Sequence, residues 1–279
     1  MELHGPTVLR IPSRKVNVAY EWHKAPPADF AVIGSPVAHS RSPQMHEAAY
    51  RALGLDLKYI AVRVSAGEVN DALDHLSGLG FKGVNVTVPH KAEAMDWAHP
   101  DELAEKIGAA NTIDLQSRVA TNTDAPGFLD TLEQFSFDED ATALILGAGG
   151  TARALAAVLP GAGFRTSIWN RTSTRAESLA KEFGLAEVAE EPSADFDLVI
   201  NTTSVGLTKD RITIDWGNAR QTTVAYDLVY GSTPFLEEAK TQGLRTLDGK
   251  ELLVAQGARS FEFWLGIAPP RDVMLETIQ

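Results

Sequence analysis

The segment Thr142-Ala-Leu-Ile-Leu146 runs directly into Gly147-Ala148-Gly149-Gly150-Thr151-Ala152, and a helix-forming stretch continues to Leu159. A strand that ends in closely spaced glycines and reopens as a helix admits few folds. Gly147 permits the tight turn, and Gly149 lets backbone approach a ligand closely. The helix that follows turns its free N–H groups and its positive dipole end towards an anion. In this strand–turn–helix setting the motif reads as the pyrophosphate site of a dinucleotide.

Downstream the alternation continues, with strands expected at Thr166–Trp169, Asp197–Asn201 and Thr222–Leu228 and a helix at Arg175–Phe183. Such alternation implies a parallel sheet with right-handed crossovers. An earlier series precedes it: strands at Phe30–Gly34, Leu57–Val64 and Gly83–Val88, and helices from Pro43, near Val69–Leu76, near Lys91–Ala98, at Asp101–Ile107 and at Asp124–Phe135. The segment Asn111–Leu115 lies among them, and an apolar-rich helix at Leu252–Trp264 closes the chain. A chain of 279 residues suits two such units. The expected division is 30–124 plus 250–279 for one α/β domain and 125–249 for the other. Residues 1–29 stand apart as an extension. There Lys15 to Trp22 alternates, with Val16, Val18, Tyr20 and Trp22 on one side, and Thr7 to Ile11 offers itself as a hairpin partner.

Charge and composition narrow the partners. A net charge of −12 argues against a nucleic-acid surface, which needs Lys and Arg in register with phosphates, but leaves room for a locally positive pocket. The absence of cysteine removes disulfides, thiolate catalysis and zinc–thiolate sites. No apolar run approaches a membrane span, and Met1–Arg10 lacks the layout of a signal peptide. The expectation is a cytoplasmic protein with a small-molecule partner, no nucleic acid and no membrane, acting as a monomer or homodimer.

The end of the second strand refines the cofactor. An NAD site usually places Asp or Glu there, on the ribose 2′-hydroxyl. This chain has Trp169-Asn170-Arg171-Thr172, with Arg175 one turn on, and two guanidinium groups suit a 2′-phosphate. NADP is therefore expected over NAD, against the plainer reading of a solvated loop with surface arginines.

Several small polar motifs remain. They are Gly34-Ser-Pro-Val-Ala-His39-Ser40-Arg41-Ser42-Pro43, Gly83-Val-Asn85-Val-Thr87-Val-Pro-His90-Lys91, Ala110-Asn111-Thr112 and Asn122-Thr123-Asp124. Asn201-Thr-Thr-Ser-Val-Gly206, Asp227-Leu-Val-Tyr230 and Gln256 before Ser260-Phe-Glu-Phe-Trp264 follow. Read singly, each is a turn or a cap. Ser40 and Ser42 suit N-cap hydroxyls before the Pro43 helix, Asp124 the cap of its own helix, and Lys91 a surface lysine. His39, His46 and His90 share no metal-ligand spacing and read as satisfied loop histidines. Phe261, Phe263 and Trp264 read as packing.

Taken together and in order, from about Phe30 to the carboxyl end, these motifs resemble the shikimate dehydrogenase family. The resemblance implies an N-terminal substrate-binding domain and a Rossmann-type NADP-binding domain with a cleft between them. It implies reversible NADPH-dependent reduction of 3-dehydroshikimate to shikimate, a step towards chorismate and the aromatic amino acids. By the same resemblance Lys91 and Asp124 match the catalytic pair, and Ser40 and Ser42 bind the substrate carboxylate. Asn85, Thr87, Asn111, Tyr230 and Gln256 line the rest of the substrate pocket. The cofactor site comprises Gly147, Ala148, Gly149, Gly150, Thr151, Ala152, Asn170, Arg171, Thr172 and Arg175, and extends to Thr202, Thr203, Ser204, Val205, Leu228 and Gly249.

The logic of the pair is readable without the family. Reducing a ketone needs a hydride on carbon and a proton on oxygen, and a lysine ammonium beside the carbonyl stabilises the developing alkoxide. Whether Lys91 gives the proton or only anchors charge stays open at this level. Ala120, Ala125, Leu207 and Leu252 depart from the usual pattern without touching the expected reacting atoms. Three alternatives stand beside this reading: a quinate/shikimate dehydrogenase using NAD, a member of the methylene-tetrahydrofolate dehydrogenase group, and a catalytically silent relative that binds dinucleotide as a sensor.

Overall fold

Strand β2 (Phe30–Gly34) is buried along its whole length and sends alternate side chains to opposite faces of a sheet. Ala31 and Ile33 join Val62, Val84 and Leu76 on one face, while Phe30 and Val32 join Tyr59, Met45 and Phe261 on the other. A strand buried on both sides needs helices on both sides, and this dictates the layering. The structure is a computed structural model and describes residues 18–203, 205 and 211–279.

The first sheet contains β1 (Ala19–Glu21), β2, β3 (Tyr59–Arg63), β4 (Gly83–Val86), β5 (His99–Pro100), β6 (Thr112–Asp114) and β7 (Val119–Thr121). Their spatial order is β1-β3-β2-β4-β6-β7-β5. The neighbours β1, β3, β2 and β4 run parallel, and β6 is antiparallel to both β4 and β7. Helices α1 (Ser42–Ala52), α2 (Val69–Gly78) and α3 (Glu102–Ile107) belong to this half.

Helix α4 (Asp124–Leu132) leads into the second half: β8 (Thr142–Leu146), α5 (Gly150–Val158), β9 (Arg165–Trp169), α6 (Ser173–Phe183), β10 (Glu187–Val188), β11 (Leu198–Asn201), β12 (Val224–Asp227), α7 (Pro234–Thr241) and β13 (Arg245–Leu247). These strands form a sheet of order β10-β9-β8-β11-β12-β13, every pairing parallel. That is the doubly wound dinucleotide-binding order, and the strand order reverses between β8 and β11, where the glycine loop emerges. The chain then returns to the first half through α8 (Gly249–Leu265) and α9 (Arg271–Ile278), which pack on α1.

Several sequence expectations are modified. The half-buried strand of the extension is only Ala19–Glu21, and it pairs in parallel with β3 as an edge strand; Thr7–Ile11 and Val16 lie outside the described residues. Val18 is exposed, while Trp22 turns back in a short 3-10 segment to reach the Glu68 carboxylate at 3.2 Å. The expected helix at Lys91–Ala98 is one 3-10 turn, Glu93–Asp96. Helix α4 stops at Leu132 rather than Phe135.

Of the three histidines, His46 differs from expectation. His46 is on helix α1, not a loop; it is fully buried, stacked on Tyr59 at 4.5 Å, and neither ring nitrogen has a partner. Burial alone pulls its pKa down to about 3, so the ring stays neutral and acts as an aromatic slab. His90 sits on a loop as expected, buried, with Nε2 2.8 Å from the Val64 carbonyl oxygen; its Nδ1 makes no hydrogen bond and faces Glu93 Oε2 at 3.8 Å. Phe261 and Trp264 do pack, with Trp264 stacked on Phe30 at 4.7 Å, but Phe263 is partly exposed.

Candidate active site

The carboxyl ends of β2 and β4 point the same way, so the loops that leave them share one rim. The β2 loop delivers Ser40 and Ser42, and the β4 segment delivers Asn85, Thr87 and, past Pro89, Lys91. Opposite stand Asn111, Asp124 at the first turn of α4, Gln256 on α8 and Tyr230 beyond β12. All nine line a single cavity of about 290 Å³. Thr151, Leu228, Gly249 and Leu252 close its far side, so the glycine-loop helix and the β12 turn meet the polar wall there.

Lys91 Nζ donates to Asp124 Oδ2 at 2.6 Å, and both side chains are largely shielded, at 19% and 13% exposure. Lys91 is not a plain surface lysine. Asp124 is not its helix's cap either. The α4 amides of Asp124 and Ala125 donate to Asn122 Oδ1 at 3.1 and 3.2 Å, which frees the Asp124 carboxylate for Lys91. A carboxylate in the first helical turn is further favoured by the dipole. The serines are not N-caps: Arg41 holds that position, and Ser42 is the first residue of α1. Ser40 Oγ accepts from the Ser42 N–H at 3.3 Å.

The amide orientations in the wall are fixed. Asn85 Nδ2 faces the Asn111 carbonyl oxygen at 3.1 Å, which can only accept, so the opposite edge of the amide must be oxygen. Tyr59 Oη then donates to Asn85 Oδ1 at 2.7 Å. Asn111 Oδ1 accepts from the Thr123 N–H at 2.7 Å, which turns Asn111 Nδ2 towards Gln256 Oε1 and Thr123 Oγ1. Gln256 Nε2 donates to the Leu253 carbonyl at 2.7 Å. The wall is therefore organised before any ligand arrives.

Tyr230 stands at the mouth, 44% exposed, and the surrounding cleft followed by the Asp124 charge pushes its phenol above the usual range. Its turn is tied from below by Asp227, a buried carboxylate that takes bonds from Thr233 Oγ1, Asn201 Nδ2 and the Val229 N–H at 2.6, 3.1 and 3.0 Å. Burial raises the Asp227 pKa.

The cofactor candidates divide into three groups. Gly147 adopts φ +113, and a Cβ there would meet Thr202 Oγ1 at 2.5 Å, so only glycine fits the turn. Ala152 is on the buried face of α5. Gly149 and Gly150 face open space, and α5 has no side-chain cap, so its leading N–H groups are available to an anion. Ala148 and Thr151 flank that opening, half-buried. A second cavity, about 730 Å³, is lined by Asn170, Arg171, Thr203 and Val205. Thr172 and Arg175 are exposed beside it at the start of α6, and neither Arg171 nor Arg175 forms an ion pair among the described residues. An open N-terminal cradle with two uncommitted guanidinium groups beyond it fits a phosphorylated dinucleotide. Leu228 and Gly249 lie on the substrate side, where a Cβ on Gly249 would collide with the Leu228 carbonyl; Ser204 and Leu207 lie outside the described residues.

The sequence reading missed two features. Glu190 and Glu191 of the β10–β11 connection and Asp215 of the β11–β12 connection share the second cavity with Arg171, about 20 residues or more beyond the strand end where a ribose acid is sought. Tyr59, Thr112, Thr123 and Ser260 support the polar wall from behind, and no spacing rule joins them.

Comparison with known proteins agrees with this arrangement. Residues 32–113 match the shikimate dehydrogenase substrate binding domain, 131–208 the shikimate/quinate 5-dehydrogenase model, and 249–279 the shikimate 5′-dehydrogenase C-terminal domain. Shikimate dehydrogenase (NADP+) of Natronomonas pharaonis is 40% identical over 90% of this chain and 98% of its own. Shikimate 5-dehydrogenase of Thermus thermophilus, solved with NADP(H) and shikimate, superposes with a TM-score of 0.82 at 40% identity, covering 89% of this chain and 97% of its own. The 5-ketofructose reductase of a Gluconobacter strain superposes with a TM-score of 0.81 at 32% identity, covering 89% and 96%. With a polar cavity, a doubly wound cofactor sheet and these relatives in agreement along nearly its whole length, the chain belongs to the shikimate dehydrogenase family.

Proposed function

We propose that this protein is an NADP-dependent shikimate dehydrogenase, an oxidoreductase acting on a CH–OH group that interconverts 3-dehydroshikimate and shikimate. The observation that carries the reading is the Lys91–Asp124 pair, 2.6 Å apart and largely shielded, in the cavity that the glycine-loop helix closes. Fold alone would not suffice, since the reductase relative with a different name shares it.

In this reading NADPH, held by the α5 N-terminus and by Arg171 and Arg175, supplies the hydride when bound. Lys91 Nζ faces the substrate's carbonyl oxygen, stabilises the alkoxide that develops there and gives it a proton. Asp124 orients the ammonium through the bond seen at 2.6 Å. Ser40 and Ser42 present hydroxyls to the carboxylate, while Asn85, Thr87, Asn111, Tyr230 and Gln256 meet the ring hydroxyls and close the pocket. Asn85 offers an acceptor edge, because its donors are spent on the wall behind it.

The division into a substrate unit (30–124 with 250–279) and a cofactor unit (125–249) follows the two sheets, with α4 and α8 as the crossings. Only small molecules are proposed as partners, with the chain a cytoplasmic monomer or homodimer. Among the described residues no helix is long and apolar enough to cross a membrane.

The test crosses shikimate and quinate with NADP and NAD. Shikimate with NADP should give the highest kcat/KM of the four pairings. The acids beside Arg171 make NAD the pairing to watch, since a carboxylate there suits a ribose 2′-hydroxyl. Turnover of quinate with NAD above shikimate with NADP would overturn the assignment.

A further inference from the structure

Ser260 is buried at 0% exposure within α8, out of reach of the cavity, yet it meets three other segments of the polar wall besides its own helical turn. Its Oγ accepts from Asn85 Nδ2 at 2.8 Å, the shortest of that group's three contacts. It lies 2.8 Å from Thr112 Oγ1 and 3.1 Å from Thr123 Oγ1, and it donates to the Gln256 carbonyl at 3.0 Å. Thus one hydroxyl ties β4, the start of β6, the residue preceding Asp124 and the helical turn that carries Gln256.

We propose that Ser260 is a positioning residue for substrate recognition: it holds the Asn85 amide hydrogens on the wall, leaving its oxygen as the acceptor edge, and keeps the four segments in register. The inference rests on the reading of Asn85 as a substrate contact.

Proton accounting supports the assignment. Asn85 Nδ2 has two hydrogens and three acceptors, and the Asn111 carbonyl takes one of them. Ser260 and Thr112 compete for the other, and Ser260 is nearer. With the Ser260 hydrogen on the Gln256 carbonyl, the 2.8 Å contact makes the Thr112 hydroxyl the donor to Ser260 Oγ, in preference to Asn111 Oδ1 at 3.2 Å. Without Ser260, Thr112 becomes the remaining side-chain acceptor for Asn85, and its freed hydroxyl hydrogen turns to Asn111 Oδ1. A disturbance in the fully buried wall is thereby passed to two cavity amides at once.

The substitutions Ser260→Ala, Ser260→Thr and Ser260→Val separate hydroxyl from volume, since Thr and Val are nearly isosteric. The Ala and Val variants should raise the shikimate KM about tenfold, roughly one buried hydrogen bond, with kcat changed far less and the NADP KM within about twofold of the parent. The Thr variant should restore the shikimate KM to within about threefold. Side-chain amide exchange of Asn85, followed by NMR in the ligand-free protein, should quicken in the Ala and Val variants and slow again with Thr. Equal shikimate KM for Thr and Val would mean that volume, not the hydroxyl, matters, and would overturn the proposal. So would an NADP KM that rises in step with that of shikimate, because a loosened fold would do the same. If Thr and Val are both too large to fold, the Ala variant decides, and an unchanged shikimate KM with unchanged Asn85 exchange would overturn the proposal. Should the parent turn over neither shikimate nor quinate, the function falls while the Asn85 exchange still decides the role of Ser260.

Discussion

The polar wall of the first sheet and the phosphate rim of the second are built on opposite plans. On the wall, Lys91 is bonded to Asp124, and Asn85 and Asn111 have their amide edges assigned by buried partners. On the rim, Gly149 and Gly150 open to space, and Arg171 and Arg175 are exposed with no ion pair among the described residues. One side is set before the ligand comes; the other is completed by it. Buried polar groups cost stability unless paired, so a deep wall must satisfy itself, whereas an exposed guanidinium loses little by waiting in water.

The largest expected effect tests the wall. Lys91→Met should leave shikimate and NADP affinity near the parent while turnover falls by at least about a thousandfold, from the loss of a charged group worth roughly 3–4 kcal/mol or more in the transition state. Asp124→Asn should act on the same step, and the double variant should lose less than the product of the two single losses. Stopped-flow turnover within tenfold of the parent, or strictly multiplicative losses, would show that the bonded pair is structural.

The rim is tested by Arg171→Ala. A charged hydrogen bond to phosphate is worth roughly 1.5–3 kcal/mol, so NADP binding should weaken about ten- to a hundredfold. NAD affinity should hardly move, and the melting temperature should stay put because the side chain holds nothing else together. Equal losses for both cofactors would turn the rim into a second pre-built wall and cancel the contrast.

This contrast also explains how much was legible. The glycine loop and the β–α alternation were readable because local spacing carries them. The two cores follow from strands such as Phe30–Gly34, whose wholly apolar run demands cover on both faces. Lys91 and Asp124 lie 33 positions apart, and only resemblance joined them before the structure did. The contact between Ser260 and Asn85 spans 175 positions and was not legible, since hydroxyls in a helix usually signal nothing. Helix α7 was overlooked although Thr233 before Pro234 is an N-terminal signal, and the Thr233 hydroxyl does accept from the Leu236 N–H. His46 misled because an unpaired buried histidine obeys packing rather than hydrogen bonding.

Between the two extremes lie Ser40 and Ser42, the one half-buried on the loop and the other only 6% exposed at the head of α1. Ser42→Ala should raise the shikimate KM about tenfold and leave kcat within about threefold, the signature of lost binding shared by ground and transition states. An analogue lacking the carboxylate should bind parent and variant alike. Unchanged shikimate binding in both serine variants would send the carboxylate elsewhere and shorten the wall.

The smallest effect concerns what holds the open rim's sheet together, and it lies at the opposite end of the central strands β8 and β11. Asp197 precedes β11 and accepts from the Thr142 N–H and Oγ1 at 2.8 and 2.9 Å, with the Arg220 guanidinium beside it. Burial opposes its charge, but these donors outweigh it and hold the folded carboxyl below the ordinary range. A depressed carboxyl contributes stability that is fully present above the unfolded value, near pH 4, and is lost as pH falls through the lower folded value. Asp197→Asn keeps an acceptor for Thr142 but removes the charge facing Arg220, so the expected cost is about 1 kcal/mol at pH 7. Urea midpoints should therefore differ at pH 7 and converge towards pH 3, while NADP affinity at pH 7 stays at the parent value. A gap that persists at low pH would assign the loss to shape rather than charge. A fall in NADP affinity would mean that the clamped end and the open rim are coupled, and the two plans would then be one.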